Sequence, residues 1–67
     1  MKYLRIKSLR EDNDKSQKEM ADYLNITRSA YSNYENGIRE IPIPILIKLA
    51  GYYHTTVDYL IGRTDIK

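Results

Sequence analysis

The chain has 67 residues and a mass of 7.9 kDa, with 42% hydrophobic and 30% charged positions, so one small, thin-cored domain spanning residues 1–67 is expected. Cysteine is absent and histidine occurs once, which excludes disulfides, thiolate metal sites and histidine-built zinc or catalytic centres and points to a reducing, cytoplasmic setting. A net charge of +2 is only mildly basic, so charge placement, not charge balance, must carry any nucleic-acid argument.

Leu4, Ile6 and Leu9 recur near helical spacing and predict a first helix over Lys2 to Arg10. The polar cluster Glu11-Asp12-Asn13-Asp14 predicts the turn that ends it. Ser16-Gln17-Lys18-Glu19 is a capping box, so a second helix starts there, with Met20, Ala21 and Leu24 on one narrow stripe. Asn25 tolerates the left-handed conformation that ends many helices, and Thr27 can cap a third. Only about three residues separate the two helices, which forces a sharp change of direction. Ile26, Ala30, Tyr31 and Tyr34 share the inward side of the third helix, and Gly37 stops it. Ile38 to Ile43 reads as a connector, and Pro44 opens a fourth helix carrying Ile45, Leu46, Leu49, Ala50 and Tyr53. Thr55 and Thr56 can cap a short fifth helix of Val57, Tyr59, Leu60 and Ile61, ended by Gly62; a frayed tail is expected from about Arg63. Two prolines disqualify the alternating Ile41–Ile45 stretch as a strand. It is also far below the roughly 18 residues of a membrane span, and the charged N-terminus shows no secretory signal. The predicted fold class is all-α, five short helices.

The third helix carries the chemistry. Its outward face holds Arg28, Ser29, Ser32, Asn33 and Asn36 and no aliphatic residue. Arginine can bond guanine twice, asparagine can bond adenine twice, and serine can donate or accept. An α-helix fits the major groove of B-DNA, so such a face can read neighbouring base pairs. Gln17 begins the preceding helix, whose N-terminal N–H groups and positive dipole end suit a phosphate, and Lys15 and Lys18 flank it. An ordinary solvated surface face explains the same composition, and at this level both readings stay open.

The run from Ser16 to Gly37 resembles the helix-turn-helix of the Cro/cI-type (XRE) family of bacterial and phage repressors. The Ser-Gln start, Ala21, Leu24, Ile26-Thr27-Arg28 and Tyr34-Glu35-Asn36-Gly37 all match that pattern. Leu9-Arg10-Glu11 resembles its first helix, and Leu49-Ala50, Tyr53 and Val57–Gly62 its last two, so the likeness covers roughly residues 4 to 62. It implies a lambda-repressor-like DNA-binding domain with the helix-turn-helix at about residues 16–36. Gln17 then corresponds to a residue that contacts phosphate and sometimes a base, with Lys18 beside it. Arg28, Ser29 and Asn33 correspond to base-reading positions with Thr27 and Ser32 nearby, and Asn36 and Arg39 to backbone contacts. Arg10 and Glu35 correspond to a structural ion pair. The chain departs from the family at Ile38 and Ile41, where a basic or polar residue is common, and at Thr55, where a buried valine is usual.

Other features read as structure. Tyr31 and Tyr34 belong to the core, Tyr52-Tyr53-His54 is not a ligand cage, and Asp12 and Asp14 lack the glycine and later glutamate of a calcium loop. The expected function is sequence-specific recognition of double-stranded DNA, as a transcriptional regulator and repressor on an inverted-repeat operator. A homodimer through the fifth helix and tail, where Tyr59, Ile61 and Ile66 offer apolar surface, is expected with it. A protein-interaction module and the antitoxin of a toxin–antitoxin pair are the alternatives. With no nucleophile–base pair, glycine-rich phosphate loop or metal ligand set, no enzyme activity, metal, cofactor or small-molecule ligand is expected.

Overall fold

The computed structural model describes residues 2–66, in the order α1 (Leu4–Asp12), α2 (Gln17–Leu24), α3 (Arg28–Glu35), α4 (Ile43–Tyr52) and α5 (Val57–Leu60). No strand occurs among the described residues.

Helix α1 starts and ends two residues later than its apolar spacing predicts. Tyr3 is extended and stands outside it. At the other end Asn13 donates to the Leu9 carbonyl from both its backbone and its side-chain nitrogen, which carries the helix through Glu11 and Asp12. The reversal then falls on Asp14, in the left-handed region at φ 55°.

The capping box at Ser16 is complete. Its hydroxyl accepts from the Glu19 N–H and the Glu19 carboxylate accepts from the Ser16 N–H, each at 3.0 Å. The Ser16 N–H holds the Glu19 carboxyl below its ordinary pKa, with smaller help from the Ser16 hydroxyl and the Lys15 charge. Ser16→Ala should lower stability by about 1 kcal/mol. In a domain this small that is a drop of several degrees in Tm by thermal melt. An unchanged Tm would show that the cap is not formed in solution.

Asn25 ends α2 at φ 59°, and the Ile26 N–H returns to the Ala21 carbonyl, a Schellman-type close. Thr27 then caps α3 by accepting from the Ala30 N–H at 3.0 Å. Gly37 follows α3 at φ 76°, and a Cβ there would sit 2.8 Å from Lys2 Cβ. Both the backbone angle and the passing N-terminal segment therefore require glycine. Ile41, one of the departures from the family pattern, is buried among the core side chains, so its aliphatic character serves packing. Pro42 is the N-cap of α4, which makes Pro44 its second residue instead of its first. Proline is harmless there because the first four helical N–H groups have no intrahelical partner.

One core joins all five helices: Ile6 and Leu9, Met20, Ala21 and Leu24, Tyr31, Ile41, then Leu46, Leu49 and Ala50, and Leu60. The Tyr23 and Tyr52 rings pack at 4.6 Å and Tyr52 meets Tyr53 edge-on at 5.1 Å, so these rings fill one another's faces. Exposed His54 makes the following turn at φ 55°. The segment from Arg63, expected to fray, is held down. The Arg5 guanidinium lies 4.2 Å from the Tyr59 ring centroid, donates to the carbonyls of Tyr59 and Thr64, and pairs with Asp65. Lys67 lies outside the described residues. None of the described helices is long and apolar enough to cross a membrane.

The corner before α5 keeps a flaw. Thr56 caps that helix, but the hydroxyls of Thr55 and Tyr53 are buried without a hydrogen-bond partner among the described residues. Burial pushes the Tyr53 phenol up to about 12. A buried hydroxyl left unsatisfied costs about 1–3 kcal/mol, and valine has the shape of threonine without it. Thr55→Val should therefore raise Tm by several degrees in a thermal melt. A lower Tm would show that the hydroxyl finds a partner in solution.

Candidate nucleic-acid interface

Two helix N-termini meet at one surface recess. Gln17 opens α2 and Arg28 opens α3, and with Ser29, Ser32 and Asn33 they line a polar recess of about 340 Å³. The side chains come together because positions 28, 29, 32 and 33 share one face of α3 and the tight turn sets that face beside the start of α2. Arg28 and Ser29 are exposed, whereas Ser32, Asn33 and Gln17 are half-buried at the base of the recess.

The other candidates lie elsewhere. Thr27 spends its hydroxyl on capping α3. Asn36 is exposed just past the helix, where its amide donates to the Ser32 hydroxyl at 3.1 Å. Arg39 is exposed in the connector, with its backbone N–H held by the Asn33 carbonyl. Lys18 pairs with Asp22 at 3.0 Å across one exposed turn of α2. Such a surface pair contributes little and leaves the ammonium available to an anion.

Beneath the recess lies an ion pair that joins three elements. Glu35 and Arg10 side chains are 1% and 12% exposed, and they bond twice, Nε to Oε2 at 2.9 Å and Nη2 to Oε1 at 3.0 Å. Arg10 also donates to the Lys15 carbonyl at 2.8 Å, which fixes the loop leading into α2. Tyr31 donates its hydroxyl to Glu35 Oε2 at 2.7 Å. Gln17 Nε2 reaches Glu35 Oε1 at 3.3 Å.

Burial alone would push the Glu35 carboxyl up, but the donors on Arg10, Tyr31 and Gln17 outweigh it and hold the group below its ordinary pKa. The carboxylate in turn raises the Arg10 guanidinium, and burial with the same carboxylate raises the Tyr31 phenol. Sequence reasoning missed the Tyr31 and Gln17 donors. The i,i+4 spacing of Tyr31 and Glu35 was a usable signal for the first; for Gln17, eighteen residues away in sequence, there was none.

A helix-turn-helix family model matches residues 6–60, from the first core residue of α1 to the last of α5. The chain belongs to that family. Its helix-turn-helix is α2 and α3, in the Cro/cI-type arrangement that the sequence resembles. The HTH-type transcriptional regulator ImmR of Bacillus subtilis is 37% identical over 62 residues, 92% of this chain and 49% of its own length. The HTH-type transcriptional regulator AnsR of the same organism is 39% identical over 63 residues, 94% of this chain and 54% of that protein. A third helix-turn-helix relative, the SPbeta prophage-derived uncharacterized regulator YonR, is 38% identical over 60 residues, 90% of this chain and 56% of its own. This helix-turn-helix chain thus spans about half the length of the curated relatives it matches.

Proposed function

We propose that the chain binds double-stranded DNA in a sequence-specific way, with α3 in the major groove, and regulates transcription as a repressor by occupying its operator. The observation that carries this is the shared recess, in which the amide of Gln17 stands beside Arg28, Ser29, Ser32 and Asn33 at two helix N-termini. Arg28, Ser29, Ser32 and Asn33 read base edges, while Gln17 and the α2 amides meet a phosphate. Lys18, released from Asp22, and Asn36 and Arg39 grip the backbone on either side. Thr27 acts by fixing the first turn of α3, and Arg10 with Glu35 by holding the scaffold.

A single half-site gives modest affinity, so a homodimer on an inverted repeat completes the reading. Tyr59, Ile61 and Ile66, at α5 and the tail that Arg5 holds down, supply its contact. The relatives' names as transcriptional regulators accord with this function. The competing reading, a protein-interaction module, draws on the exposed Ile38, Ile43 and Ile47.

A salt titration of binding to duplexes from the flanking DNA separates the two. DNA binding should weaken linearly in log affinity against log salt, with a slope of about −0.9 per phosphate neutralised. Absence of binding to any duplex at low salt would hand the function to the protein-interaction reading.

A further inference from the structure

Each oxygen of the Glu35 carboxylate accepts twice: Oε2 from Arg10 Nε and Tyr31 Oη, Oε1 from Arg10 Nη2 and Gln17 Nε2. Three of these bonds knit the core. The fourth leads out of it, because Gln17 is also part of the recess wall. A carboxylate can only accept, so the Gln17 amide must turn its nitrogen towards Glu35. The planar amide then carries its carbonyl oxygen away from the carboxylate, with one N–H still unused. An exposed glutamine presents donor or acceptor with equal ease; one anchored to a buried charge is restricted to a single orientation, because hydrogen bonds to ionised groups are the stronger kind.

We propose that Glu35 is a positioning residue for DNA binding: its buried carboxylate holds the Gln17 amide in one orientation, so that the start of α2 offers DNA a fixed carbonyl and one N–H. The inference rests on the DNA-binding reading above. The remaining N–H serves a phosphate oxygen. The carbonyl serves a donor, the Arg28 guanidinium on the same recess. Holding the side chain ready spares the complex the ordering of a flexible glutamine, which corresponds to about threefold to tenfold in affinity.

The test removes the carboxylate while keeping the fold. Replacing a buried ion pair by apolar residues of similar volume is often neutral for stability, so Arg10→Met, Tyr31→Phe and Glu35→Leu are combined in one variant. Binding to the operator is measured for wild type and this triple variant, each with and without Gln17→Ala, at a temperature where all four are folded. In wild type, Gln17→Ala should weaken binding about threefold to tenfold. The triple variant should bind more weakly than wild type by about the same factor, and Gln17→Ala should then add less than about twofold.

A triple variant that folds and binds like wild type overturns the inference, as does an undiminished effect of Gln17→Ala in that background. If the triple variant does not fold, the wild-type protein still decides. Gln17 is the only glutamine in the chain, so its side-chain amide is identifiable by NMR. Those protons should exchange with water more slowly than those of exposed Asn25, and equal rates overturn the tie to Glu35. Wild type that binds no duplex overturns this inference and the proposed function together. Wild type that binds with additive effects overturns this inference alone.

Discussion

Arg10→Met is expected to destabilise the domain by about 3–5 kcal/mol, because it leaves a carboxylate buried without its cation. Glu35 is 1% exposed and keeps only the Tyr31 and Gln17 donors once the guanidinium is gone. A chain of this size holds roughly 3–10 kcal/mol in total, so the variant should melt near or below physiological temperature. The loop into α2 loosens as well, since Arg10 also holds the Lys15 carbonyl. Circular dichroism against temperature and urea measures the loss.

The pH dependence gives the sign of the electrostatic part. In wild type the folded Glu35 pKa lies below its ordinary value of 4.5, so its contribution is complete above that value and is lost as pH falls through the folded one. Without Arg10, burial dominates and the carboxyl moves up. The variant then gains relative stability on acidification, and the gap between the two proteins should narrow towards pH 4. A gap that widens on acidification, or a variant with normal stability and altered operator preference, would falsify the structural role of the pair.

Arg28→Ala should weaken binding to the preferred operator by about 1–3 kcal/mol and relax selectivity at one or two base pairs. Arg28 stands exposed in the first turn of α3, where its guanidinium can enter the groove. Scrambled DNA should also lose affinity, but by less, since there the arginine acts only as a charge. Gln17→Ala should differ in kind. It removes a neutral group at the end of α2, so it should weaken binding to all sequences similarly and leave the salt slope almost unchanged. Isotherms for wild type and both variants, on operator and scrambled duplexes at several salt concentrations, test the contrast. An equal loss for Arg28→Ala on both duplexes would make the arginine a phosphate contact only and move the reading face elsewhere.

How legible each part was depends on how far apart its partners lie. The Ser16 capping box, the Asn25 reversal and the caps at Thr27 and Thr56 were all readable, because each joins groups within five residues whose geometry the backbone imposes. The outward face of α3 was readable for the same reason, since a helix places residues three and four apart on one side. The Arg10–Glu35 pair came from family resemblance, because nothing local links two residues 25 apart. Three boundaries were misplaced: α1 began late because Tyr3 stays extended and outlasted its apolar stripe through Asn13, and α4 began before Pro44 because an N-terminal turn accepts proline in either place.

By itself the sequence determined where three of the five helices, α2, α3 and α5, begin or end by capping and turn chemistry, and which faces of α2 and α3 turn inward. Only the tertiary structure decided that Arg5 holds a tail 59 and 60 residues away, that Gly37 lies under Lys2, and that Gln17 shares an oxygen of Glu35 with Arg10. The physical reason is one of reach. A helix or turn is fixed by bonds between near neighbours, which any stretch of sequence carries within itself. A buried charge instead takes whatever donors the packed core brings within about 3 Å, and that set exists only after the apolar faces have closed on one another.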